Sequence, residues 1–256
     1  MFPIKDNIPT ERFPLVTVLL IAINVVVFLG FQHPKGFSSV DDKTVVHYGA
    51  IPYELTHPDK HCDLVPGGAV ACEGQKGVVG KAPKQPPTWV TMFTSMFMHG
   101  GFLHIIGNML FLWIFGNNVE DAMGRPRFVL FYLLGGLAAL WGQVLFGPDS
   151  TAPTIGASGA IAAVLGGYLL LYPHARVLTL VFIVFFVTVI ELPAVFMLVF
   201  WFLEQLYFGA ANLSNPTGGG GGVAYWAHIG GFAFGLAAIR LFAKRVKEIP
   251  SRYPVY

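Results

Sequence analysis

The chain has 256 residues, of which 54% are hydrophobic and 12% charged, against about 25% charged in soluble domains. This composition excludes an ordinary soluble fold, and a net charge of +2 offers no basic surface for nucleic acid. A helix needs about 20 mostly apolar residues to cross ~30 Å of hydrocarbon, so the chain reads as an all-α, polytopic protein of the lipid bilayer.

Residues 1–13 are predicted as a short tail. The apolar segment 14–32 has the position of a signal peptide. No small-x-small cleavage site stands near Gly30–His33 and further spans follow, so it is predicted as a membrane helix. A polar stretch rich in Pro, Gly and Lys fills 33–90 and holds both cysteines, Cys62 and Cys72. Outside the cell they would close a short disulfide loop; reduced, they would stand beside His61 as a weak metal-ligand set. Further spans are predicted at 102–117, 127–146, 156–172, 192–209 and 224–243.

Between the fourth and fifth of the six spans, VLTLVFIVFFVTVI, 177–190, is apolar but about 14 residues long, a length that suits an interfacial or re-entrant segment rather than a crossing. Six crossings then put both termini on one side. Arg240, Lys244, Arg245, Lys247 and Arg252 against Glu248, with Arg125, Arg127 and Arg176 in the turns, mark that side as cytoplasmic. The predicted organisation is a cytoplasmic tail 1–13, a membrane domain 14–243 whose long extracytoplasmic loop is 33–90, and a basic cytoplasmic tail 244–256. A multi-pass protein of the plasma membrane is expected.

Ionisable groups inside spans are costly and point to function. His104 and Asn108, four residues apart and about 40° around the helix, share a face. His99 stands in the turn entering that span. Ser158 opens the fourth span between Gly156-Ala157 and Gly159, and His228 lies near the start of the sixth. All begin even-numbered spans, hence lie at similar depth. Gly231 and Gly235 continue the His228 stripe, and Ala162 and Gly166 that of Ser158; small stripes let helix backbones approach closely. A serine hydroxyl within reach of an imidazole is a nucleophile with its general base. His104, Asn108 and the backbone N–H groups at the start of the fourth helix would serve an oxyanion. No acidic third member stands near His228, so a Ser–His dyad is expected. Glu204 and Gln205 read as interfacial, and Asn117, Asn118 and Glu120 as capping and loop contacts. Taken singly, the serine and the glycine stripe are packing features and His228 a satisfied polar contact; agreement in depth, face and stripe makes them a site.

These residues resemble the rhomboid intramembrane serine proteases: His99-x4-His104-x3-Asn108, Gly156-Ala157-Ser158-Gly159, and His228 with Gly231-x3-Gly235, in the family's order over about 97–240. The resemblance implies a six-transmembrane-helix bundle that cleaves single-span transmembrane protein substrates near their outer ends, without metal or cofactor. It makes Ser158 the nucleophile, His228 the base, His104 and Asn108 the oxyanion donors, and His99 a support of the cavity, with Gly156, Gly159, Gly231 and Gly235 supporting the packing. The stretch 209–224, with PTGGGGG at 216–222, corresponds to the family's cap. Three positions depart from the family pattern: Trp89 is followed by Val90, Ala162 replaces an aromatic one turn after the serine, and Glu120-Asp121-Ala122 stands for Glu-x-Arg. The rival readings are a catalytically silent rhomboid-like protein that binds membrane clients and a small ion transporter. His-Glu-x-x-His is absent, which disfavours a zinc protease, and Ser158 lacks the strand-borne Gly-x-Ser-x-Gly of an α/β-hydrolase.

Overall fold

The computed structural model describes residues 2–37, 39–83, 85–183, 186–214 and 222–247. Strand β1 (Phe2–Asp6) precedes α1 (Leu15–Val26), which continues through a π turn at Val27–Phe31. The long loop carries α2 (Asp42–Tyr48), α3 (Pro52–Thr56), a small hairpin of β2 (Cys62–Leu64) and β3 (Val70–Cys72), and α4 (Thr88–Thr94). Then come α5 (Phe102–Phe111), a π turn and α6 (Asn117–Met123), which together make one long helix, and α7 (Arg125–Phe146) and α8 (Ser158–Leu171). The hairpin β4 (Arg176–Ile183) and β5 (Phe186–Pro193) leads into α9 (Ala194–Ser214) and α10 (Tyr225–Phe242).

Phe102–Met123, Arg125–Phe146 and Ala194–Leu213 are long and apolar enough to cross a membrane, and Leu15–Phe31 and Ser158–Leu171 are shorter apolar helices. Helix α8 is the axis of the molecule: every residue from Gly159 to Tyr168 is buried, as expected of a helix apolar all round. Its 14 residues span only about 21 Å, less than the hydrocarbon thickness. The irregular segment 147–157 therefore accompanies it below the level of the neighbouring helix ends.

Glycine permits the tight α8–α10 packing. A Cβ on Gly231 would collide with the Gly159 carbonyl oxygen, one on Gly235 with that of Ala163, and one on Gly166 with that of Phe232. The predicted stripes of Gly231/Gly235 and Gly166 thus lie at this helix crossing.

The all-α expectation needs correcting. The described residues 177–183 and 186–190 lie in the paired strands β4 and β5, and β1 joins them antiparallel in a sheet ordered β1-β4-β5. The sequence of this segment is a run of Val, Ile, Phe and Thr, side chains that suit a pleated surface, and it is too short to span as a helix. The segment 1–13, expected as a plain tail, supplies β1. Asp6 is buried, its Oδ2 accepting from Tyr168 OH at 2.6 Å and Asn118 Nδ2 at 2.8 Å. The start of the basic tail is also anchored, by Arg245 and Lys247 on Asp121. Glu120 caps α1, its carboxylate accepting from Val16 N, Thr17 N and Thr17 Oγ1. Both ends of the described chain and the β4–β5 hairpin therefore lie at one end of the bundle.

At the other end, Cys62 and Cys72 are bridged, which resolves the two readings of that pair. The bridged unit holds the 147–157 segment: Ala50 pairs with Thr154, Tyr53 N donates to Ser150 O, and Thr56 Oγ1 to Pro148 O. Residues 215–221, which hold most of the glycine run of the predicted cap, and the tail from 248 lie outside the described residues.

Candidate active site

Ser158, His228, His104 and Asn108, predicted from three separate spans, line one cavity of about 750 Å³. Ser158 is the first residue of α8, so its backbone N–H is among those without an intrahelical acceptor. Gly156 just before it has φ +122°, and a Cβ there would lie 2.8 Å from His104 Nε2 and 3.5 Å from Ser158 Oγ. Only glycine suits both that backbone and that space. Ser95 O fixes this turn by accepting from Gly156 N at 2.9 Å.

His228 Nε2 lies 2.8 Å from Ser158 Oγ, and His228 Nδ1 lies 2.8 Å from Gln205 Oε1. The neighbours assign the protons. Gln205 Nε2 donates to the Trp201 carbonyl, which can only accept, so Oε1 is the amide atom facing the ring. An amide oxygen cannot donate, hence Nδ1 carries the hydrogen and Nε2 presents its lone pair to the Ser158 hydroxyl. His104 has the opposite arrangement. Gly100 N–H donates to His104 Nδ1 at 3.2 Å, so its hydrogen sits on Nε2, the nitrogen beside Gly156. Asn108 Nδ2 is buried and has no hydrogen-bond partner among the described residues. The cavity therefore holds one ring nitrogen able to accept a proton and two side-chain donors able to receive an anion.

His99 does not line this cavity. It is fully buried behind it, its ring edge-on to His104 at 5.0 Å. A two-way clamp holds its backbone, with His99 N donating to Gln32 Oε1 and Gln32 Nε2 to His99 O. Gly159, Gly231 and Gly235 lie at the α8–α10 contact rather than in the cavity.

A protein-family model described as Rhomboid domain matches residues 86–245, well over half of the chain. The chain belongs to the rhomboid family. Membership makes it a multi-pass helical membrane protein. Rhomboid protein 1, mitochondrial, of Saccharomyces cerevisiae is 37% identical over 97 residues, covering 36% of this chain and 28% of the yeast protein. Rhomboid protease GluP of Bacillus subtilis is 30% identical over 156 residues, 61% of this chain and 24% of that protein. The human presenilin-associated rhomboid-like protein, mitochondrial, is 32% identical over 99 residues, 37% of this chain and 25% of that protein. The alignments thus span about a quarter of each of these relatives.

Two residues of this rhomboid's site were not found from sequence. Gln205, interfacial by its position in the sequence, is buried against His228. It stands beside Glu204 on an otherwise apolar helix, one turn beyond Trp201, and that polar pair is the only signal the sequence carries for it. Trp201 supplies the aromatic neighbour that Ala162 does not, its ring 5.7 Å from that of His228 and tilted by 34°.

Proposed function

We propose that this rhomboid is an intramembrane serine endopeptidase that cleaves single-span transmembrane proteins near the extracytoplasmic side. The observation that carries the reading is the 2.8 Å contact between Ser158 Oγ and His228 Nε2 inside an open cavity. His228 Nε2 takes the hydroxyl proton as Ser158 Oγ attacks the scissile carbonyl. The oxyanion receives hydrogen bonds from His104 Nε2, Asn108 Nδ2 and the Ser158 N–H. His228 then gives its proton to the leaving amine, and water, deprotonated by the same imidazole, releases the acyl group and restores the serine.

The topology we propose has six crossings: the three long helices, α1, α8 and α10. Both termini and the β4–β5 hairpin are cytoplasmic, the cavity faces the outer side, and the plasma membrane is the proposed location. A common end for β1, the α6–α7 turn and the Arg245–Lys247 anchor supports this parity. The arginines and lysines gathered there support the orientation.

The test is fluorophosphonate labelling and cleavage of single-span peptides by purified protein in liposomes. Wild type should label and cleave, and Ser158→Ala should do neither. His228→Ala should lose at least about 10³-fold in kcat, as when a base is removed from a serine–base pair. An unlabelled wild type that still binds the peptides would refute the protease and favour a silent client-binding protein.

A further inference from the structure

We infer that a cavity at the terminal end of the bundle binds the phosphate headgroup of an anionic phospholipid. The cavity, of about 400 Å³, lies between the segment entering α1 and the first turn of α7. Arg12, Arg125 and Lys244 converge on it from three separate parts of the chain. Arg12 and Lys244 make no ion pair among the described residues, and Arg125 makes one long hydrogen bond, Nη2 to Phe13 O at 3.4 Å.

Two carboxylates also line the cavity, and both already have partners. Glu120 accepts from the first backbone N–H groups of α1 and from Thr17. Asp121 takes Arg245, Lys247 and the Glu11 N–H. Three cations therefore face one small space in which Asp121 is already ion-paired and only the Glu120 charge, turned to the α1 amides, stands against them. Converging like charges repel one another, and a bound anion removes that repulsion. A phosphate diester has the charge and the acceptor oxygens that arginine and lysine recognise.

The remaining wall favours a lipid over a free anion. Phe13, Pro14 and Pro126 are apolar, and Phe13 is 64% exposed. Leu15 and Leu19 on α1, and Val129 and Leu130 on α7, leave exposed apolar surface on the helices that begin there. Since α1 and α7 both start at this level, the charges occupy the layer where headgroups sit, with apolar surface running inward for the acyl chains. Basic pockets between membrane helices are the expected hosts of such headgroups. Ser158 lies at the level of Ala139 and Leu140 on α7, roughly 20 Å along that helix from Arg125, so the inference does not rest on the protease reading.

The test uses the full chain in mild detergent. Its melting temperature is measured with added phosphatidylglycerol, phosphatidylcholine or glycerol 1-phosphate, and native mass spectrometry counts retained lipid. Phosphatidylglycerol should raise the melting temperature and be retained on the order of 100-fold better than phosphatidylcholine, about one increment for each of three cations. R12Q/R125Q/K244Q should lose the preference. Should that variant fail to fold, K244Q alone, at an exposed position, should weaken retention by about fivefold. Equal stabilisation by phosphatidylcholine, or a preference that survives the substitutions, would overturn the inference. An equal shift from glycerol 1-phosphate would assign the cavity to a soluble phosphate and overturn the lipid.

Discussion

Replacing Gln205 isolates the tautomer of the proposed base without touching the serine. In Gln205→Leu the Nδ1–H of His228 faces a methyl group in a buried space, and an unsatisfied buried donor costs about 1–3 kcal/mol. The imidazole escapes that cost by moving its hydrogen to Nε2, which then cannot take the Ser158 proton. At about 1.4 kcal/mol per decade, kcat should fall between about 5- and 100-fold. Gln205 is buried and does not line the cavity, so KM should change by less than about twofold. Gln205→Glu supplies another oxygen acceptor and should recover most of the loss. The assay is steady-state cleavage of a fluorogenic single-span peptide, with melting temperature as the folding control. A folded Gln205→Leu variant with wild-type kcat, or a folded Gln205→Glu variant no better than the leucine one, would refute the tautomer argument.

Gly231→Ala puts a methyl against the Gly159 carbonyl. It should cost about 1–3 kcal/mol of overpacking and roughly 100-fold in kcat, because α10 must move away from Ser158; thermal unfolding and peptide cleavage read both. Burial holds the Asp6 carboxyl up, from 3.8 to about 6, with hydrogen bonds from Tyr168 and Asn118 pulling it partly back. The folded state then binds the extra proton between about pH 4 and 6, so this group's contribution falls as pH rises through that window, by about 3 kcal/mol in all. Asp6→Asn keeps one oxygen for both donors and should unfold with a flatter pH dependence than wild type between about pH 4 and 6; equal slopes would refute it. Reducing the Cys62–Cys72 bridge should cost about 3 kcal/mol by the chain-entropy relation for a loop of this length. Trypsin cleavage at Lys60, Lys76 or Lys81 should accelerate under reductant, and unchanged cleavage would deny the loop that role.

Legibility in the sequence followed how local each cause was. Helix faces and small stripes repeat along the chain, so the convergence of Ser158, His228, His104 and Asn108 could be built from spacing and depth alone. The β4–β5 hairpin could not, because an apolar run of about 14 residues suits a strand pair or a short helix equally well by pattern. Its partner β1 lies more than 170 positions away in a stretch of mixed composition. Gln205 escapes for the same reason: the polar pair Glu204–Gln205 marks the position, but its meaning comes from the His228 ring across the α9–α10 contact.

The two imidazoles of the cavity show what such contacts add. His104 and His228 are chemically identical, and the positions expected of them in sequence do not fix which ring nitrogen of either carries the hydrogen. Gly100 offers a donor to one Nδ1, and Gln205 offers an acceptor to the other. That single difference leaves His104 with a hydrogen and His228 with a lone pair at the nitrogen facing Ser158. Had both met donors, no base would remain; had both met acceptors, the cavity would lose a hydrogen-bond donor toward the oxyanion. The proposed division of labour is therefore set by one backbone amide and one side-chain amide, neither of which would contact the substrate at the scissile bond.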